Sequence, residues 1–133
     1  MTSPGDLKTG TVLLYPFLWS REYGQGEESG RKDRPVAVAF NLGHKIGLVP
    51  ITSKAPRADE RGIEIPEIEK QRAGLDVTKR LWVIPTEMNI DDPDNSYYLE
   101  PDTIIGQFSA VFMERLKAEI RVSIARVSQV PRR

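Results

Sequence analysis

Cysteine is missing from the 133 residues, and histidine occurs once, as His44. The first absence excludes disulfides and thiolate metal sites and makes a reducing compartment the natural home. The second leaves no His and Cys set from which a usual zinc site is built. Net charge is missing too, since 19 basic side chains balance 19 acidic ones. That excludes the global cationic excess of a histone-like or ribosomal binder. No apolar run reaches the roughly 18 residues of a membrane span, and the start has no basic flank with an apolar centre. Internal repeats, low-complexity tracts and linkers are absent as well. A soluble, cytoplasmic protein with no membrane partner is expected, folded as one domain over residues 1–133. With 39% hydrophobic residues, this length fills one core and is too short for two.

The charge that is present is unevenly spread. Six acidic residues and no basic one lie between Glu87 and Asp102, whereas Arg31, Lys32 and Arg34 crowd into four positions. A local basic mouth on a neutral protein follows. The acidic run reads as a solvated loop; a magnesium site from Asp91, Asp92 and Asp94 is the alternative, but the spacing lacks the glycine and terminal glutamate of a calcium loop. No metal and no cofactor are expected.

Residues 11–17 read as a strand with poor alternation, which implies burial on both faces, as in a small, strongly curled sheet. A long polar loop, 20–33, precedes a second strand over 35–40. Asn41, Leu42, Gly43 and His44 carry turn chemistry that closes a hairpin onto 45–51. A loop over 53–61 leads to a short strand at 62–65. Residues 67–75 fit a helical turn ended by Gly74, and 81–90 resumes strand character, interrupted by Pro85. Then the period changes. Ser109 caps a helix with an apolar stripe Phe112, Leu116, Ile120, Ile124, flanked by Met113 and Val127, and Phe108 is placed to staple onto Met113. The last six residues read as a frayed terminus. The expected architecture is mainly β, of the α+β kind: a five- or six-stranded, barrel-like antiparallel sheet closed by a C-terminal helix.

Chemistry concentrates at two strand ends. Pro35 restricts Arg34 to extended geometry, so a planar, always-charged fork projects from a defined strand start, suited to phosphate oxygens. Thr52 and Ser53 end the next strand and bring hydroxyl donors beside it if the two strands pair. Arg31, Lys32 and Lys54 add cations. Trp19 and Tyr23 flank the basic loop, where aromatic faces beside cations suit single-stranded nucleic acid; Tyr15 and Phe17 read as core. His44 reads as a turn residue.

Gly10-Thr11-Val12 with Tyr15-Pro16-Phe17, a polar loop holding Glu28 and Gly30, Arg34-Pro35-Val36-Ala37-Val38, Val49-Pro50-Ile51-Thr52-Ser53 and Ile105-Gly106-Gln107-Phe108-Ser109 occur in this order. In order and spacing these blocks resemble the MazF/PemK family of toxins of toxin–antitoxin systems over most of the chain. The resemblance implies an SH3-like small antiparallel β-barrel with a C-terminal helix. It also implies a homodimer that binds single-stranded RNA and cleaves it sequence-specifically without a metal, by attack of the ribose 2′-hydroxyl on the neighbouring phosphate. A cognate antitoxin with an acidic disordered tail would compete with RNA for the same cations. By position, Arg34 and Thr52 resemble the catalytic arginine and threonine, with Ser53 as helper and Glu28 as the acidic candidate. Arg31, Lys32, Ser53, Lys54 and Trp19 would hold substrate, with the loops 20–33 and 53–61 setting the recognised sequence.

The chain also departs from that pattern. Arg31-Lys32-Asp33 lengthen the loop before Arg34, and Pro85 stands about where some members have a candidate base aspartate. The base stays open among Glu28, Asp33, Glu87 and no residue of this chain. Two other functions fit the same scaffold: a gyrase poison, and a non-catalytic module that binds RNA or protein.

Overall fold

The computed structural model describes residues 4–24, 32–58 and 60–132. Among these residues eight strands form one mainly antiparallel sheet: β1 (Thr11–Tyr15), β2 (Arg34–Asn41), β3 (Ile46–Thr52), β4 (Ile63–Glu64), β5 (Trp82–Val83), β6 (Glu87–Asp91), β7 (Ile104–Gln107) and β8 (Ser128–Pro131). Three α-helices, α1 (Ser20–Tyr23), α2 (Glu67–Arg72) and α3 (Ala110–Val122), interrupt or follow the strands. The path runs β4-β5-β3-β2-β1-β7, with β6 beside β3 and β8 parallel to β6. Among the described residues no pairing joins β7 back to β4 or β8, so the pairings make a curled sheet and do not by themselves draw a closed barrel.

The poor alternation of the central strands has its physical cause in two apolar layers. Val12, Ala37, Val49 and Ile51 bury into one cluster with Phe112, Met113 and Leu116 of α3. Their chain neighbours Leu13, Val36, Val38 and Leu48 bury into another with Tyr15, Phe17, Trp19 and Trp82. Successive residues of a strand point to opposite faces, so both parities must be apolar when both faces are covered. Each such Val or Leu contributes about 1.5–3 kcal/mol by leaving water.

The capping expectation holds: Ser109 Oγ accepts from Phe112 N–H. Phe108 is buried and packs on Phe112 with the rings tilted by 45°, centroids 4.5 Å apart. The stripe ends sooner than expected. α3 stops at Val122, the chain tightens into a 3-10 turn, and Ile124 is left 63% exposed. Pro85 divides 81–90 into β5 and β6, which pair with different stretches of β3. β5 is buried, and β6 buries Met88, Asn89 and Asp91.

Two further expectations are corrected. Residues 128–132 do not fray: 128–131 pair with β6, and Arg132 is buried, donating to the Pro16 carbonyl (3.0 Å) with its guanidinium 4.2 Å from the Tyr98 ring. The acidic run is not wholly solvated either. Asp91 is buried and accepts from Tyr15 Oη–H and Ser96 Oγ–H, each at 2.7 Å. Burial first, and the Asp91 carboxylate next, push the Tyr15 phenol well above its usual range. Tyr15 and Asp91 thus join the N-terminal strand to β6. No helix among the described residues is long and apolar enough to cross a membrane.

Candidate functional site

The β2–β3 hairpin pairs from Asn41–Ile46 to Val36–Pro50. Pro35 and Pro50 bring no N–H to the ladder at this end, and the last residues of β3, Ile51 and Thr52, pair instead with Val83 and Trp82 of β5. Continued by two residues, the Val36–Pro50 register sets Arg34 opposite Thr52. The strand ends therefore face each other without being bonded, and a groove of about 680 Å³ opens there.

Arg34 is half-buried. Its guanidinium lies 5.3 Å from the Trp19 ring centroid, and the buried Nε has no hydrogen-bond partner. A buried guanidinium N–H without an acceptor is unusual in a native fold and calls for an account. Burial pulls the Arg34 guanidinium below the usual arginine range, against Glu22, with Arg21 adding to the shift; an arginine still remains charged. Thr52 Oγ1 accepts from Lys54 N–H at 3.1 Å, which caps the turn and leaves the hydroxyl proton to donate.

Trp19 is held from behind. Glu22 reaches back to accept from Trp19 N–H (3.1 Å), and Glu87 of β6 accepts from Ser20 N–H (2.8 Å) and Ser20 Oγ–H (2.7 Å). Phe17 meets the indole edge-on at 5.3 Å. These anchors make a four-residue helix out of a loop segment too short to be helical by itself. Arg21 also lies over the Trp19 ring, at 5.2 Å. Trp19 is 7% exposed, so it carries two guanidinium groups and does not present an open stacking face.

Among the described residues, the groove is lined by six cationic side chains, Arg21, Lys32, Arg34, Lys54, Arg57 and Lys79, against two carboxylates, Glu60 and Asp76. A protein with no net charge thus concentrates positive potential where its hydroxyls are, and a cleft focuses such a field on a polyanion.

Of the residues singled out in the sequence, Trp19, Lys32, Arg34, Thr52, Ser53 and Lys54 share this groove. Glu28 and Arg31 lie outside the described residues. Asp33 is exposed before β2, and Glu87 is engaged with Ser20. Glu87 is therefore a positioning residue for Trp19 and not a free base. Glu87→Gln is expected to lower stability by about 1–2 kcal/mol through weakened bonds to Ser20, read as a lower melting temperature. A variant with an unaltered melting temperature and a displaced pH–rate profile would make Glu87 a base instead.

Pro85 is buried and brings no carboxylate. His44 lies in the exposed hairpin turn, where Asn41 Oδ1 accepts from Gly43 N–H. Among the described residues no group of three or more His, Asp or Glu is placed to hold a metal ion.

Sequence reading missed Arg21, Arg57, Glu60, Asp76 and Lys79. The first three come from the two loops expected to set recognition. Asp76 and Lys79 follow α2, and their only signal was a glycine stop at Gly74 that turns the chain toward the groove. No protein-family model matches this chain, and no curated protein matches it.

Proposed function

We propose that this chain is a metal-independent endoribonuclease toxin of the MazF/PemK kind, cleaving single-stranded RNA and neutralised by an antitoxin whose acidic tail competes for the groove. The carrying observation is Arg34, a guanidinium stacked on Trp19 with a buried, unpartnered Nε, at the edge of a cationic groove shared with Thr52. Phosphodiester cleavage by the 2′-hydroxyl builds negative charge on the phosphate oxygens. A rigid fork of N–H donors already in place stabilises that charge without reorganising. The Thr52 hydroxyl donates to a second oxygen, and Lys32 and Lys54 hold the flanking backbone. The 2′-hydroxyl gives its proton to water as its oxygen bonds to phosphorus, the bond to the 5′-oxygen breaks, and that oxygen takes a proton from water, leaving a cyclic phosphate and a 5′-hydroxyl.

The finer reading of the sheet as an SH3-like barrel is supported by the burial of both sheet faces in two apolar layers. The homodimer of that reading would use the C-terminal helix, where Val111 and Val122 are exposed. Purified protein incubated with a mixed-sequence RNA pool in excess chelator is expected to cut at discrete sites. Folded protein that leaves the pool intact would refute the nuclease.

The occupation of the candidate base position by Pro85, and of Glu87 by Ser20, favours one second reading, an RNA-binding module that does not cut. Binding with intact RNA at every protein concentration would select it.

A further inference from the structure

The groove is not cationic throughout. Its far wall carries a carboxylate that phosphate chemistry leaves unused. Strand β7 is separated from β2 by β1 alone, with Leu13 facing Val36 on one side and Ile104 on the other. Two strand spacings amount to roughly 10 Å, which sets the wall apart from Arg34. Gly74 packs on the Ile105 carbonyl so closely that an added Cβ would lie 2.1 Å from its oxygen. The turn after α2 is thereby fixed against β7, and Leu75, Asp76 and Ile105 line the groove together with Leu81 and Ile84.

Asp76 is held in one orientation. Its Oδ1 accepts both Thr78 N–H (2.9 Å) and Thr78 Oγ1–H (2.5 Å). These bonds, opposed by a smaller burial effect, hold the carboxyl below the usual carboxylate range, so it is ionised at neutral pH and only accepts. An anion repels the RNA backbone, and what the Asp76 carboxylate can receive from a nucleic acid is an N–H donor. Leu75, Leu81 and Ile84 are as buried as Trp19, so the half-buried Ile105 is the apolar side chain that, beside a fixed acceptor, complements a nucleobase with its flat apolar face and polar edge. Cytosine, adenine and guanine bring exocyclic amines. Uracil has no amine, and its one edge donor, N3–H, lies between two carbonyl oxygens that a carboxylate repels.

We propose that Asp76 is the specificity-determining acceptor of a nucleobase subsite, reading the exocyclic amine of a base next to the phosphate at Arg34 and rejecting uracil. The proposal rests on the RNA reading of the same groove. Its test is equilibrium binding, by fluorescence anisotropy, of labelled oligo-cytidine and oligo-uridine carrying 2′-O-methyl groups, which cannot be cut by 2′-attack. Wild-type protein is expected to favour cytidine by about tenfold, the value of one hydrogen bond to a charged acceptor. Asp76→Asn, which keeps an oxygen for Thr78, is expected to reduce that preference to about twofold or less with an unchanged melting temperature.

An unchanged ratio in the variant, equal tightening of both oligonucleotides, or no binding by wild type overturns the proposal. The two readings fail separately. RNA cleavage by wild type together with an unchanged ratio in the variant removes the subsite alone. A cytidine preference lost in the variant, with no cleavage of unmodified RNA, removes the nuclease and keeps the subsite.

Discussion

Arg34→Ala is expected to slow RNA cleavage by about a hundred- to a thousandfold, the loss associated with deleting one preorganised donor to developing oxygen charge. Stability should stay within about 1 kcal/mol of wild type, because the change removes a buried donor that has no partner and leaves no orphan behind. Arg34→Lys keeps the charge and loses the planar fork that stacks on Trp19, so it should recover little of the rate. Single-turnover rates and thermal melts of the three proteins separate these effects. An alanine variant cutting within about tenfold of wild type would take the arginine out of the chemistry.

The largest effect on stability is expected at Gly74. Its φ of +70° is one that side-chain-bearing residues rarely adopt, and a Cβ there meets the Ile105 carbonyl oxygen at 2.1 Å. Gly106 makes the reciprocal contact, its added Cβ falling 2.4 Å from the Ala73 carbonyl carbon. The paired glycines let α2 and β7 approach backbone to backbone. Gly74→Ala therefore adds a strained conformation, about 1–3 kcal/mol, to displacement of packed backbone, about 1–3 kcal/mol more. The melting temperature should fall by about 10 °C. A melt within about 2 °C of wild type would mean that this wall yields freely, and Asp76 would then have no fixed position from which to read a base.

How far these features are legible in the sequence depends on whether their causes are local. The β2–β3 hairpin is legible because apolar runs flank turn residues, and register then follows from the turn. From that hairpin the meeting of Arg34 with Thr52, Ser53 and Lys54 can be derived. The Ser109 cap and the Gly74 stop are single-residue signals that the structure keeps.

Strand β8 is different. Ser-Gln-Val-Pro has no strand pattern of its own and is ordered by parallel pairing to a segment some 40 residues away. Buried Arg132 looks like a terminal charge until Tyr98 and Pro16 are placed around it. The α1 turn depends on Glu87, and Asp91 reads as part of an acidic loop until Tyr15 and Ser96 approach it. In the groove, the cations of the hairpin are visible in order along the chain. Arg21, Arg57 and Lys79 converge on them only through tertiary contacts, and so does Asp76.

The most direct measurement is terminal-group analysis of RNA cut by the wild-type protein in excess chelator. The account predicts 5′-hydroxyl ends and 2′,3′-cyclic phosphates, with no cut where the attacking ribose is replaced by deoxyribose. Products ending in 5′-phosphate, or RNA left whole by folded protein, would contradict it.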